Sequence, residues 1–100
     1  MKEQVKAIKN HDHDNVATLF GTASAGSVVT VMEKNGESFE VKVLNDIPYG
    51  HKIAITQIDA KAQVTKYGEA IGIATALIRL GEHVHVHNIE STRGRGDWEH

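Results

Sequence analysis

The sequence contains no cysteine, which excludes a disulfide framework, a cysteine-based zinc site and a thiol nucleophile. It has one proline and only five aromatic residues, so a core has to be built from Val, Ile, Leu and Ala. No apolar run approaches the roughly 20 residues that a membrane-spanning helix requires. No signal-peptide pattern is present either, so we expect a soluble cytoplasmic protein without membrane contacts.

The length of 100 residues suits one small domain with a modest core. The formal net charge is −2 with neutral histidines, and protonation of all seven histidines would bring it to +5. No basic face dominates, which argues against nucleic-acid binding. No internal sequence repeat and no second core are evident, so the composition indicates a single folding unit.

The pattern along the chain predicts many short strands. Asn35-Gly36 lies between two β-branched segments and is typical of a hairpin turn. Segment 69–80 is ambiguous, and we interpret it as a short strand around 71–74 with at most one helical turn near 75–80. The fold class predicted is therefore all-β. The other predicted strands cover residues 4–9, 16–20, 27–33, 38–44, 52–58 and 63–67.

The most informative segment is His83-Val84-His85-Val86-His87. In an extended strand the three imidazoles would share one face, and the two valines would lie on the other. Residues two apart are separated by roughly 6.6 Å and residues four apart by about 13 Å, so His85 and His87 could chelate one ion. Adding His83 to that ion would require a bulge or a sharp bend. The alternative is a solvated polar strand edge.

Four sequence blocks resemble the SAF-type domain of the altronate/galactarate dehydratase family, which includes the sulfolactate sulfo-lyases. Together they extend over residues 14–88 and imply a compact SAF-type β-clip domain over residues 1–89. Beyond it, glycine and charge with little apolar content predict a flexible Arg/Gly-rich tail over residues 90–100. The blocks are Asp14-Asn15-Val16-Ala17, Ile47-Pro48-Tyr49-Gly50-His51-Lys52-Ile53-Ala54, Lys66-Tyr67-Gly68-Glu69-Ala70-Ile71-Gly72 and Gly81-Glu82-His83-Val84-His85-Val86-His87-Asn88.

The resemblance implies a component of a larger lyase, inactive alone, that acts with a large catalytic dehydratase subunit or a C-terminal domain. The reaction implied is the β-elimination of water from a small hydroxy acid of the altronate or galactarate type, giving a 2-keto-3-deoxy acid. A divalent metal at the level of the holoenzyme, Fe²⁺ or similar, is the cofactor implied. Association of copies of the chain into a homo-oligomer is left open.

Two other functions fit the same sequence. One is the small subunit of a (2R)-sulfolactate sulfo-lyase, which eliminates sulfite instead of water. The other is a non-catalytic β-clip module that binds a sugar acid or a metal, because so few residues offer no complete acid–base set. Dehydratase activity of the chain alone, and then with a large partner, would separate a lyase component from the binding module.

Imidazole transfers protons near neutral pH and is the commonest metal ligand, so His85 and His87 are the candidate catalytic residues and metal ligands. A lysine at the start of a strand can pair with a substrate carboxylate, although a solvated strand end is an equally ordinary role. Candidate substrate-binding residues within the blocks are Asp14, Asn15, His51, Lys52 and Asn88. The segment His11-Asp12-His13-Asp14-Asn15 could hold an ion through mixed ligands, but a local Asx-type turn is the favoured interpretation.

Overall fold

A computed structural model describes residues 5–91 of the chain, and every regular element within them is a β-strand. The predicted all-β class is therefore confirmed. No helix in this part of the chain is long and apolar enough to cross a membrane. The strands are β1 (Val5–Lys9), β2 (Val16–Leu19), β3 (Val28–Glu33), β4 (Ser38–Lys42), β5 (Lys52–Ala54), β6 (Gln63–Lys66), β7 (Glu69–Ala74), β8 (His83–Val84) and β9 (Ile89–Ser91).

The strands form two sheets. The larger has six strands in the order β4-β3-β1-β2-β5-β8, and the smaller has three in the order β6-β7-β9. Only the β1–β3 pair is parallel among the described strands; the others are antiparallel. Strand β8 therefore lies at one edge of the larger sheet.

The Asn35-Gly36 hairpin is present as predicted. Strands β3 and β4 pair antiparallel with Val31 opposite Phe39. Gly36 has a φ of 93°, a conformation that glycine adopts without a Cβ penalty. The alternating pattern buries Val41 on the inner face, as expected from a strand with one wet and one dry side.

The buried interior consists of aliphatic side chains, as the scarcity of aromatic residues predicts. One cluster contains ten buried residues, including Leu19, Val31 and Ile53, and lies against the larger sheet. The second contains Val64, Ala74 and Val84 among its seven residues and joins the smaller sheet to β5 and β8. Because β5 contributes Ile53 to one cluster and Ala54 to the other, both faces of this strand are buried.

Segment 75–80 contains no helical turn. Ile78 instead forms an isolated bridge with Ile58, with backbone hydrogen bonds of 2.8 Å in each direction. Leu77 is exposed whereas Ile78 is fully buried, so the apparent helical stripe does not exist. The strand expected around 71–74 is present as part of β7.

One local turn occurs four times, although the sequence contains no detectable repeat. In each copy a bridged residue is followed three positions later by a residue with positive φ. In each copy, too, the carbonyl of the second residue accepts a hydrogen bond from the residue just after the turn, as Pro48 O does from His51 N. We call these segments the bridge turns; they are Ala23–Gly26, Ile47–Gly50, Ile58–Lys61 and Ile78–Gly81.

The bridge turns pair in twos, Ala23 with Ile47 and Ile58 with Ile78. Two of the bridge turns lie just before a histidine. Gly50 directly precedes His51, and Gly81 is two residues before His83. The same turn conformation therefore precedes both of the chain segments that meet where β5 pairs with β8.

Candidate functional site

The imidazole cluster is built by the pairing of β5 with β8. Lys52 lies opposite Val84, and Ile53 lies opposite His83. Continuing this register by one residue places His51 opposite His85. Residues directly opposite on an antiparallel pair share one face, so this pairing brings together histidines that are more than thirty positions apart in sequence.

The expected extended strand over 83–87 is wrong, because β8 ends at Val84 and the chain then bends. The backbone N–H of His85 donates to Asn88 Oδ1 at 3.0 Å, and Asn88 Nδ2 donates to the carbonyl of His83 at 2.8 Å. A local side chain thus offers the backbone partners that a longer strand would have supplied. As a result Val84 is fully buried whereas Val86 is 79% exposed.

The bend changes which imidazoles meet. His51 Nδ1 lies 2.9 Å from His83 Nε2, within hydrogen-bond distance. The rings of His51 and His85 stack with centroids 3.8 Å apart. One potential ligand atom from each of His51, His83 and His85 lies within 4.8 Å of the others. His87 is exposed and its ring centroid is 4.9 Å from that of His83.

His83, which the spacing along a strand placed outside a two-histidine chelate, is therefore part of the cluster, and His87 lies at its rim. The catalytic role expected for His85 and His87, and their pairing as metal ligands, stay predictions. We call His51, His83 and His85 the imidazole triad.

Burial and mutual repulsion favour the neutral form of two triad histidines. Burial, followed by the neighbouring His87, His51, His85 and Lys52, lowers the pKa of His83 to about 4. Burial and then His51 also lower the pKa of His85. Neutral imidazole has a free nitrogen lone pair, which is the form that accepts protons and binds metals.

The side chains of His85 and Lys52, near the β5–β8 edge, both have polar groups in unfavourable surroundings. His85 Nδ1 is buried and has no hydrogen-bond partner within residues 5–91. Burial lowers the pKa of Lys52, with the positive charge of Lys66 adding to the effect. A buried nitrogen without a hydrogen-bond partner lowers the stability of the fold, and in other proteins such an atom often binds a ligand, an ion or a water.

Comparison with known proteins gives the chain its family. Residues 5–92 match the family model described as the altronate/galactarate dehydratase SAF domain. The chain belongs to that family. The resemblance found in the sequence blocks is confirmed, and the strand-rich structure of this SAF domain agrees with it.

The similar proteins are lyases or lyase subunits. The chain is 42% identical over 81 residues to the altronate dehydratase of Escherichia coli (strain K12), an alignment that covers 81% of this chain and 15% of that protein. It is 40% identical to the altronate dehydratase of Bacillus subtilis (strain 168) over 84% of this chain and 16% of that protein. It is also 37% identical over 83% of its length to the (2R)-sulfolactate sulfo-lyase subunit alpha of Chromohalobacter salexigens, covering 92% of that subunit. The chain thus spans only 15% and 16% of the length of these two altronate dehydratases.

Asp14 and Asn15 hold the SAF domain together through backbone contacts. Asp14 is buried, and its carboxylate accepts hydrogen bonds from the backbone of Asn10, His11 and Gly68 at 2.8–3.2 Å. The amide of Asn15 bonds the backbone of β6 from both of its ends, at 2.9 and 2.8 Å. Their predicted role in substrate binding remains untested, and their polar atoms already have these partners.

The other substrate-binding candidates lie at or near the triad. His51 is one of its members and Lys52 is beside it, whereas the buried Asn88 supports the bend. The segment 11–14, nearer the start of the chain, forms the turn that we favoured over a mixed-ligand metal site, and Asp14 N donates a hydrogen bond to His11 O at 3.0 Å. His11 Nδ1 also accepts from the backbone of His13.

Sequence reasoning missed two residues that shape the site. Asn45 Oδ1 accepts from the backbone N–H of His83 at 3.0 Å, and Gly81 packs so closely that a Cβ would collide with the carbonyl oxygen of Lys42. Gly81 could have been found, since a glycine just before a strand often marks a close approach between backbone segments.

Strand β9 extends through Glu90 and Ser91, two residues past the expected domain end. The remainder of the predicted tail lies outside the described residues.

Proposed function

We propose that this chain is the SAF component of a lyase that removes water from a sugar acid of the altronate or galactarate type, yielding a 2-keto-3-deoxy acid. Membership of a family whose named proteins include altronate and galactarate dehydratases carries the proposal. The imidazole triad supports it, because β-elimination needs a base, an acid and stabilisation of negative charge.

The chemistry follows from the substrate class. A base takes the proton from the carbon next to the carboxylate, the hydroxyl on the following carbon leaves with a proton as water, and the enol product tautomerises to a 2-oxo acid. Neutral imidazole can accept the first proton, and its protonated form can return the second. The triad histidines and His87 are the groups of this chain suited to those steps, and Lys52 is the residue that we propose pairs with the substrate carboxylate.

A divalent cofactor, Fe²⁺ or similar, belongs to this proposal. The donor set of three imidazoles, one of them with an unpartnered buried nitrogen, fits such an ion. When bound, a divalent ion would polarise the carboxylate and stabilise the charge that develops on it. The chain's own contribution is to hold the imidazoles at the β5–β8 edge and to keep His83 and His85 unprotonated.

The partner proposed is a large catalytic dehydratase subunit or domain. An open groove beside the triad is lined by exposed Leu44 and Leu77 together with Arg79 and Glu82. Its wall is continuous with the segment that carries the cluster, since Leu44 N donates to the carbonyl of Gly81 at 2.9 Å. Apolar side chains rimmed by charge are typical of an interaction surface, and Glu82 in this groove directly precedes His83 of the triad.

The experiment is a reconstitution. The chain, a candidate large dehydratase chain, and the two combined are each given altronate, galactarate and sulfolactate, and 2-oxo acid and sulfite are both measured. We expect 2-oxo acid from a sugar acid only in the combined sample. Turnover by the small chain alone would contradict the need for a partner. Binding of an acid without turnover in any combination would make the chain a binding module.

Sulfite elimination is the second candidate. The alignment with the sulfolactate sulfo-lyase subunit alpha of Chromohalobacter salexigens covers 92% of that subunit, and a second such subunit, from Paracoccus pantotrophus, is covered over 98% of its length. The same proton abstraction would then expel sulfite from (2R)-sulfolactate. Release of sulfite with no reaction of the sugar acids would decide in favour of this candidate.

A further inference from the structure

We propose that His51, His83 and His85 form a transition-metal site that belongs to this chain itself. The site is defined by three imidazoles from two chain segments, joined at the sheet edge, with ligand atoms all within 4.8 Å of one another. It deepens the proposed function by giving the cofactor a place, and it rests on that function only for the catalytic role of the ion.

The spacing of the nitrogens is close to what an ion requires. Two ligands at about 2.0–2.1 Å from a tetrahedral ion are separated by about 3.3 Å. The separation of His51 Nδ1 and His83 Nε2 is 2.9 Å, and no pair in the triad exceeds 4.8 Å. Shifts of about one ångström would therefore suffice, smaller than the roughly 6.6 Å step between alternate strand residues that a flat strand would impose.

The rings have to rotate to share an ion. The planes of His51 and His85 are only 11° apart, so their lone pairs now point side by side rather than at one point. Rotation of imidazole about its Cβ–Cγ bond is inexpensive, because that torsion has a broad energy profile.

Ion binding would also resolve two features of the metal-free cluster. The short contact between His51 and His83 joins two nitrogens, of which one has to donate and the other to accept. Ligation replaces this contact with two stronger bonds to the ion. His85 Nδ1, buried and without a partner within residues 5–91, would gain one if it faced the ion.

The backbone beneath the triad is held by side chains that can act as outer supports. Asn88 bonds the main chain of both His83 and His85, and Asn45 bonds the main chain of His83. These contacts fix the main chain that carries two of the three proposed ligands. A three-histidine set selects ions such as Zn²⁺, Fe²⁺, Co²⁺ or Ni²⁺ over Mg²⁺ and Ca²⁺, and leaves coordination positions open for an oxygen ligand.

The experiment titrates the full chain, free of any purification tag, with Co²⁺ and separately with Mg²⁺. The visible absorption of Co²⁺ reports the ligand set, and calorimetry reports affinity and stoichiometry. We expect one Co²⁺ per chain and no competition by Mg²⁺. Each of His51→Gln, His83→Gln and His85→Gln should weaken Co²⁺ binding at least about tenfold, since even loss of an outer support commonly costs 10–100-fold.

His13→Gln is the matched control, because it removes an exposed imidazole outside the triad and should leave the affinity unchanged. His87→Gln tests the alternative ligand pair of His85 and His87. Circular dichroism verifies that each variant is folded. If a triad variant fails to fold, the NMR ring resonances of the unaltered chain still test the site. Co²⁺ should shift the resonances of the three triad histidines before those of His11 and His13.

Absence of Co²⁺ binding by the unaltered chain would overturn the proposal. So would binding that survives His51→Gln but is lost in His87→Gln, which would place the ion on the His85–His87 pair. The metal titration needs no lyase activity, so the two proposals fail separately. A reconstituted enzyme that turns over with no Co²⁺ bound by this chain would refute the metal site and leave the function standing.

Discussion

Asn88 Nδ2 donates a hydrogen bond of 2.8 Å to the carbonyl of His83, five residues earlier in the chain. The other end of the same amide accepts from the backbone of His85. The side chain of Asn88 thus closes the bend that ends β8, together with the hydrogen bond of 3.1 Å that Asn88 N donates to the carbonyl of His85.

Replacing Asn88 by alanine should lower the free energy of unfolding by about 2–3 kcal/mol, because it leaves two part-buried backbone groups without partners. Urea unfolding monitored by circular dichroism measures this. The control is Asn45→Ala, which removes one exposed acceptor and should cost only about 0.5–1 kcal/mol. If Asn88 served only to bind substrate, its removal would leave stability unchanged.

Gly81→Ala should be more damaging than the same substitution elsewhere in the bridge turns. The added Cβ would collide with the carbonyl oxygen of Lys42 and would also adopt a φ of 91°, so we expect a loss of at least about 3 kcal/mol. Gly26 occupies the same position of another bridge turn and has the same φ, but a Cβ at Gly26 would meet no heavy atom within 4 Å.

Gly26→Ala should therefore lower the free energy of unfolding only by the cost of holding a Cβ at positive φ, about 1–2 kcal/mol. Lys61 occupies the corresponding position with a φ of 71°, which indicates that a side chain can be accommodated where space is open. Thermal unfolding of the two alanine variants measures the difference, and equal losses would mean that the contact with Lys42 is unimportant.

The variants Val84→Asp and Val86→Asp distinguish the observed bend from an extended strand over residues 83–87. Val84 is fully buried in the second core cluster, so a carboxylate there should cost at least about 3 kcal/mol. Val86 is 79% exposed, and its substitution should change stability by no more than about 0.5 kcal/mol. In an extended strand both valines would share the buried face, and both variants would be damaged when unfolding is measured.

Much of the fold could be predicted from local pattern. The strands follow β-branched alternation, and the hairpin follows from Asn35-Gly36. The bend could not, because His-Val-His-Val-His has the period of a strand, whereas the bend depends on hydrogen bonds from the side chain and the backbone of Asn88. Likewise, the bridge turns share a backbone conformation rather than a sequence, so no repeat was visible.

The sequence pattern selected the segment that carries His83 and His85 as the candidate site, but it did not predict which imidazoles lie together there. His85 was identified from the residue pattern and the family blocks. The inclusion of His51 and His83 depends on the long-range register of β5 with β8 and on the bend, and neither has a local signal. A pairing between strands about thirty residues apart is decided by the whole sheet, which spacing along one strand does not reveal.

Protonation of His83 should destabilise the metal-free chain in acid. Its pKa is lowered to about 4 in the folded chain, chiefly by burial, and is 6.5 as an ordinary histidine. Between those values the unfolded chain binds more protons, so the free energy of unfolding should fall as the pH falls from 6.5 towards 4 and should not respond to this group above 6.5. Urea unfolding with a chelator present measures this, and His83→Gln should flatten the dependence; an unchanged slope would exclude His83 as its source.

Loss of the His85 imidazole should reduce the activity of the reconstituted lyase while the small chain stays folded. His85→Ala removes a ring that stacks on His51 rather than one that fills either core cluster, so little stability is at stake. A lost proton-transfer group or ligand commonly costs a factor of about 10² or more, and we expect at least that reduction in kcat. His87→Ala tests the other expected catalytic residue; because its ring is exposed at the rim, we expect a smaller loss. Steady-state assays of both variants, each assembled with the large chain, provide the comparison. Full activity of His85→Ala would make the triad a structural feature and remove the basis for its chemical role.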